Sequence, residues 1–120
     1  SSDAIFGVQQ WILENLRDDL GIESLAKRAS MSPRNFSRRF AKECAMTPGE
    51  FVQRARLDAA RSLLETTDKG LPEIAELCGL SSSEILRRLF QRHLDTSPGA
   101  YRRRFGLPSC TWERPPGQTG

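Results

Sequence analysis

The chain carries one pattern twice, as LAKRASMSPRNFSRRFAK at residues 25–42 and as IAELCGLSSSEILRRLFQR at residues 74–92. The offset between the copies is 49 at the start of the pattern and 50 past its turn, so the second turn holds one added residue. Matching pairs are Ala26 and Ala75, Ser32 and Ser82, Phe36 and Leu86, Arg38 and Arg88, Phe40 and Phe90, and Lys42 and Arg92. The pattern therefore indicates one supersecondary unit that is used twice.

Each copy predicts a helix-turn-helix: a short apolar helix, a turn, and a second helix whose outer side is polar and basic. Ala26 and Ala75 allow the two helices of a copy to approach closely. Met31 and Leu80 are expected to hold the turn against the core. The second helix can then stand away from the core and enter a major groove of DNA.

Apolar residues recur at helical spacing along most of the chain, and no segment shows the alternation typical of a strand. We therefore predict an all-α fold of about seven helices, in which two helix-turn-helix subdomains are joined by a long linker helix. The predicted helices lie at about 3–18, 22–29, 33–44, 48–65, 71–78, 82–94 and 98–105. Their apolar positions include Leu16 in the first helix and Phe51, Val52, Ala55, Ala59, Leu63 and Leu64 in the long one.

Several local signals fix the predicted helix starts and stops. Ser32-Pro33 and Ser97-Pro98 each place a capping hydroxyl before a proline at the first helical position. Thr47 and Glu50 match a capping box. Gly79 suits a left-handed position after a helix end. The expected domains are a first subdomain at 1–46, the linker helix at 47–66, a second subdomain at 67–106 and a disordered tail at 107–120, which contains Trp112.

Charge is unevenly distributed along the chain. The formal net charge of the 120 residues is +3. Residues 32–44 sum to +3 and residues 82–105 sum to +4, so the remainder sums to −4. Two separated basic segments on a mildly acidic body favour a polyanion that is met at two places. Solvated arginine-rich helix faces would give the same composition.

Other function classes find little support in the sequence. No apolar run is long enough for a membrane span, and we expect no signal peptide, since no charged-then-apolar segment opens the sequence. The three cysteines Cys44, Cys78 and Cys110 form no CxxC pair, which favours free thiols in a cytoplasmic protein over a zinc site. Paired carboxylates, a glycine-rich phosphate loop and a metal-ligand cluster are all lacking. We therefore expect no enzyme activity, catalytic residue, metal or cofactor, and we place the single histidine, His93, on the surface or near a phosphate.

The residues in three places resemble the AraC/XylS-type transcription regulators. These are Arg56-Leu57-x-x-Ala60-Arg61-x-Leu63-Leu64-Glu65, Ile74-Ala75-x-x-Cys78-Gly79-Leu80-Ser81-Ser82, and Arg88-x-Phe90-x-Arg92 with Ser97-Pro98-x-x-Tyr101-Arg102. The resemblance covers about residues 5–105. The openings Trp11-Ile12 and Met31-Ser32-Pro33-Arg34 are most similar to the GlxA-like branch. This resemblance implies a C-terminal DNA-binding part that follows an amidotransferase-like sensor domain, with promoter DNA and RNA polymerase as partners.

The resemblance also implies which side chains face the DNA bases. In the first copy these are Arg34, Asn35, Ser37 and Arg38, and in the second they are Ser83, Glu84, Arg87 and Arg88. Their chemistry suits that role, since arginine pairs with guanine, asparagine with adenine and glutamate with the cytosine amino group. Candidate phosphate contacts are Arg39, Lys42, Gln91, Arg92 and Arg102. For Arg39 a structural ion pair is an equally good interpretation, and for Arg61 we expect a pair with Asp58 or Glu65.

The linker helix fits the spacing of two reading helices on one duplex. Eighteen residues give a rod of roughly 27 Å, and two major-groove segments on one face of DNA lie about 34 Å apart. We therefore expect one monomer to read two successive grooves of unequal sequence. The alternative is a helical interaction module whose basic faces bind an acidic protein partner.

Overall fold

The computed structural model describes residues 2–107, with side chains from Asp3 onward. That part of the chain forms seven α-helices and no strand, so the predicted all-α fold is confirmed. The helices are α1 (Ser2–Glu14), α2 (Ile22–Arg28), α3 (Pro33–Cys44), α4 (Pro48–Thr66), α5 (Leu71–Leu77), α6 (Ser83–Leu94) and α7 (Pro98–Phe105). None of these helices is both long and apolar enough to cross a membrane. The predicted tail, with Trp112 and Cys110, lies outside the described residues.

The described residues divide into two compact units, whose boundary falls within α4 between Arg56 and Leu57. In the first unit α3 packs on both α2 and α1. The core of that unit is built from one face of each helix, together with Leu20 from the segment after α1. Its fully buried members are Ile5, Ile12, Leu25, Ala26, Phe36 and Phe40. Phe40 stacks edge-on against Phe51 of α4, with ring centroids 5.4 Å apart.

In the second unit α6 packs on α5 and on α7. Its core repeats the plan of the first, with side chains from the second half of α4 taking the place of those from α1. The fully buried members are Ala60, Leu64, Ile74, Ala75, Cys78, Leu86 and Phe90. Phe90 meets Tyr101 of α7 edge-on, with ring centroids 5.5 Å apart. Each unit thus has its own hydrophobic core, to which one helix-turn-helix contributes its buried side chains.

Serine caps begin the helices that follow the turns, and those of Ser32 and Ser97 confirm the prediction. The hydroxyls of Ser32, Ser82 and Ser97 each accept a hydrogen bond from a backbone amide of the first turn. Gly79 has a φ of 82°, as its predicted left-handed position requires. The matching residue of the first copy is Ser30, which adopts a φ of 57° in spite of its side chain.

One expectation about the helices is wrong. The first helix ends at Glu14 rather than near Asp18, because the Asn15 side-chain amide donates to the Trp11 carbonyl and the chain turns away. The predicted apolar stripe of α4 is confirmed in part, because Val52, Ala55 and Leu64 are buried. Its other members, Phe51, Ala59 and Leu63, are partly buried and pack against the two cores, and Leu57 and Ala60 are buried in addition.

Candidate nucleic-acid interface

The helix α3 is basic on its outer face, and its inner face packs against the core of the first unit. Phe36 and Phe40 have no solvent exposure and fix the helix to the core of its unit. The predicted base contacts Arg34, Asn35 and Arg38 are exposed, and Ser37 is half-buried. The predicted phosphate contacts are Lys42, which is exposed, and Arg39, which is half-buried. The structure therefore brings all six predicted residues of the first copy onto one short helix.

The Arg39 guanidinium lies 3.7 Å from the Glu43 carboxylate, one helical turn away. This contact favours the structural interpretation of Arg39. It also partly neutralises the only acidic residue of α3, so the exposed charge of the helix comes from Arg34, Arg38 and Lys42. A phosphate contact by Arg39 would have to compete with this ion pair.

The helix α6 is built in the same way. Leu86 and Phe90 are fully buried, and the predicted base contacts Glu84, Arg87 and Arg88 are exposed, with Ser83 half-buried. Of the predicted phosphate contacts on this helix, Arg92 is exposed. The Gln91 side-chain amide donates to the Asp95 carboxylate at 2.9 Å. Gln91 therefore supports the C-terminal end of the helix, and a phosphate contact would use its remaining donor.

Arg102, a predicted phosphate contact, has partners within its own unit. Its guanidinium is half-buried and donates to the backbone carbonyls of Leu64, Lys69 and Thr67, at 3.3, 2.7 and 3.0 Å. Three of its five N–H donors are thus used within the second unit. A phosphate contact by Arg102 stays a prediction and would use the remaining donors.

A polar cluster beneath α7 was only partly predicted. Arg61 donates to Asp58 at 3.4 Å, as expected, and also to the Tyr101 hydroxyl at 3.1 Å. The Tyr101 hydroxyl in turn donates to the Glu65 carboxylate. Burial raises the pKa of Tyr101, and the hydrogen bond to Glu65 raises it further. The hydrogen bond with Tyr101 raises the pKa of Arg61. The cluster ties α7 to α4.

The single histidine and the two cysteines among the described residues are all at least partly buried. His93 is half-buried, and its Nε2 atom is buried without a hydrogen-bond partner in the described part of the chain. Cys78 is fully buried, as expected for a small apolar side chain, whereas Cys44 is half-buried and accepts a hydrogen bond from Gln9. Burial raises the pKa of the Cys44 thiol. Among residues 2–107, no group of three or more acidic, histidine or cysteine side chains could hold a metal ion.

Comparison with known proteins agrees with this architecture. The helix-turn-helix domain family matches residues 25–104. The transcriptional regulator Rv1931c of Mycobacterium tuberculosis is 45% identical over 84 residues, which are 70% of this chain and 32% of that protein. The transcriptional activator RhaS of Citrobacter koseri is 33% identical over 88 residues, or 73% of this chain and 32% of that protein. The chain therefore spans about a third of the length of these curated relatives.

Two solved structures are similar over nearly their whole length. The DNA-binding domain of the transcriptional factor AdpA, solved in complex with a target DNA, is 40% identical with a TM-score of 0.81, over 84% of this chain and 91% of that one. The C-terminal domain of the response regulator AraT from Geobacillus stearothermophilus is 26% identical with a TM-score of 0.84, over 92% and 93%. The two helix-turn-helix units, the family match and these relatives agree, and the chain belongs to the helix-turn-helix family of AraC-type DNA-binding domains.

Proposed function

We propose that this chain binds double-stranded DNA sequence-specifically, as the DNA-binding domain of a bacterial transcription regulator, with one recognition helix in each of two successive major grooves. The observation that carries the proposal is the matched construction of α3 and α6. Each is capped by a serine, anchored by fully buried apolar side chains and basic on its exposed side. The AdpA domain, solved with its target DNA, supports the proposal through 40% identity over most of this chain.

The two helices would read different bases. On α3, Arg34 and Arg38 suit guanine and Asn35 suits adenine, with Ser37 available to either strand. On α6, Arg87 and Arg88 suit guanine, Glu84 suits the amino group of cytosine, and Ser83 can donate or accept. Since the two sets differ, we propose an asymmetric site rather than a palindrome. Lys42 and Arg92 would bind phosphate. Arg39 would do so in competition with Glu43, and Gln91 and Arg102 would use their remaining N–H donors.

The surrounding protein is also a matter of proposal. Because the chain spans about a third of its relatives, we propose that a sensor domain precedes it, as in the GlxA-like branch, and that RNA polymerase is a further partner. We propose no enzyme activity for this chain, since its relatives are transcriptional regulators. Binding of promoter DNA in a bacterium would place it in the cytoplasm. We also propose that α4 links the two helix-turn-helix subdomains and that the domains have the bounds predicted from the sequence.

Selection from a pool of random duplexes tests the sequence-specific function. We expect a defined and asymmetric sequence to be enriched. The association constant for that duplex is then measured at several salt concentrations. Its logarithm should fall linearly with the logarithm of the salt concentration, with a slope of about −0.9 for each phosphate neutralised. A pool that yields no enriched sequence would contradict the proposal. Equal affinity for an acidic polypeptide would instead favour the interaction module that binds an acidic partner.

A further inference from the structure

In the second unit, the Arg102 guanidinium joins three carbonyls at the point where one helix ends and the next begins. Leu64 lies in the last turn of α4, so its carbonyl has no partner within the helix. Thr67 and Lys69 lie in the turn between α4 and α5. Arg102 comes from α7, the helix that follows the recognition helix. One side chain thus fixes the path by which the chain enters α5, the first helix of the second helix-turn-helix.

The first unit contains the same device at the equivalent place. Arg56, on α4, donates from Nε and Nη2 to the Leu16 carbonyl at 3.1 and 2.9 Å. Its Nη2 also lies 3.4 Å from the Asp18 carbonyl. Leu16 and Asp18 lie in the segment between α1 and α2. Here too, an arginine from the helix after the recognition helix fixes the segment that enters the helix-turn-helix.

The internal repeat does not explain this likeness. Arg56 lies eight residues after Pro48, which begins α4, whereas Arg102 lies four residues after Pro98, which begins α7. The residue that matches Arg102 at the repeat offset of 50 is Val52, which is buried. The two units therefore reach the same contact from different positions, which points to a requirement of the fold rather than to shared descent of the residue.

Building on the proposed function, we propose that Arg56 and Arg102 are positioning residues for DNA reading. Each guanidinium locks the segment that precedes its helix-turn-helix, and that motif's first helix packs directly on the recognition helix, α2 on α3 and α5 on α6. The bonds are charge-assisted and hold backbone groups, so they fix the chain path more tightly than apolar packing would. A loosened segment lets the recognition helix tilt, which weakens base contacts while phosphate contacts adapt.

Lysine cannot replace either arginine in this role. A guanidinium presents several donors in a rigid planar fork, whereas an ammonium is a point charge on a flexible stem. Lysine could still neutralise a phosphate. The substitution of arginine by lysine therefore separates the two possible roles, because it preserves charge and removes the multiple carbonyl contacts.

The test uses the full chain with Arg56→Lys and Arg102→Lys, and with Arg54→Lys and Arg103→Lys as matched controls on exposed neighbouring residues. Affinity is measured for the selected duplex and for an unrelated duplex. We expect each positioning variant to lose about tenfold in the ratio of the two affinities, which is the effect of one misplaced base contact. Affinity for the unrelated duplex and its salt dependence should stay as in the parent chain, and the controls should keep the ratio.

A second measurement needs no DNA. Hydrogen exchange of backbone amides should accelerate at residues 15–28 in Arg56→Lys and at residues 66–77 in Arg102→Lys, each confined to its own unit. Unchanged exchange, or an unchanged affinity ratio in variants that remain folded, would overturn the proposal. If one variant fails to fold, the other repeats the test in the other unit. A parent chain without any sequence preference would contradict the proposed function instead. Hydrogen exchange in the two variants would still test whether each arginine fixes its segment.

Discussion

At the scale of single residues, we expect the exposed side chains of α3 to divide into those that read bases and those that bind phosphate. Arg38 is exposed on the helix whose opposite side carries the fully buried Phe36 and Phe40. We predict that Arg38→Ala removes discrimination at one base pair, by about 1–3 kcal/mol, because a bidentate contact with guanine is lost. Competition binding against single-base variants of the selected duplex measures this loss.

Lys42→Ala is the comparison for Arg38→Ala, since Lys42 lies one turn further along the same helix. It should weaken binding to every duplex alike and reduce the salt slope by about 0.9, the contribution of one phosphate. The division of roles is wrong if Arg38→Ala weakens all duplexes equally, or if Lys42→Ala changes preference at a particular base pair.

The residue types that could read DNA were predictable from sequence because they stand at repeated positions on a helix with a clear inner face. The contacts of Arg102 could not be predicted from the sequence. Its partners are three carbonyls that only the folded unit brings together, and sequence spacing gives no sign of them. Arg56 was missed for the same reason, since it lies about 40 residues from the carbonyl that it binds. Side chains that contact backbone leave no partner residue to recognise.

At the scale of helices, both recognition helices end in a left-handed residue that is not glycine. Ala45 has a φ of 60° and Asp95 a φ of 56°. A Cβ atom in this conformation costs about 1–2 kcal/mol, which glycine avoids. We predict that Ala45→Gly raises the free energy of unfolding by up to about 1 kcal/mol, after the added freedom of the unfolded chain is deducted.

Ala41→Gly supplies the matched control, because Ala41 lies inside α3. Glycine there should lower the free energy of unfolding by about 1 kcal/mol. Urea titration followed by circular dichroism measures both variants. A decrease for Ala45→Gly as large as that for Ala41→Gly would show that the left-handed end carries no strain.

The polar cluster that joins α7 to α4 makes a second prediction for these elements. Tyr101→Phe keeps the ring contact with Phe90 and removes the hydroxyl that links Arg61 and Glu65. We expect a loss of about 1 kcal/mol in the free energy of unfolding at neutral pH. The measurement is urea unfolding of the parent chain and the variant.

The pH dependence of that loss follows from the raised pKa of Tyr101. The folded protein keeps the phenol proton to a higher pH than the unfolded chain does, so this stabilisation is complete below the ordinary tyrosine pKa of about 10. It is lost as the pH rises through the higher folded value. The difference between parent and variant should therefore shrink above about pH 10. Tyr101 is the single tyrosine, so ultraviolet absorbance follows its titration directly. A difference that grows above that pH would contradict the assignment.

The bounds of α3 and α6 were predicted closely because each of these helices begins at a serine cap. The end of α1 was not, since Leu16 continues the apolar spacing of that helix. The helix ends earlier because the Asn15 side-chain amide donates to the Trp11 carbonyl. After a turn, Leu20 packs into the core of the first unit. The buried residues of α4 were predicted only in part, because the helix serves two cores in succession, one through Val52 and Ala55 and the other through Leu57, Ala60 and Leu64.

At the scale of the whole molecule, charge is concentrated on the segments that carry the recognition helices. Residues 32–44 and 82–105 carry +3 and +4 while the rest of the chain carries −4. Such a distribution draws the basic faces toward a polyanion and leaves the rest of the surface without attraction for it. The two cores give each unit its own means of holding a recognition helix. One chain therefore has the parts for reading two segments of DNA.

Hydroxyl-radical footprinting of the selected duplex, at one bound chain per duplex, tests this account most directly. We predict two protected segments whose centres lie about 10 base pairs apart, one helical turn. Arg38→Ala and Arg88→Ala should each weaken protection in a different one of the two segments. A single protected segment, or two segments that appear only when two chains are bound, would contradict the account.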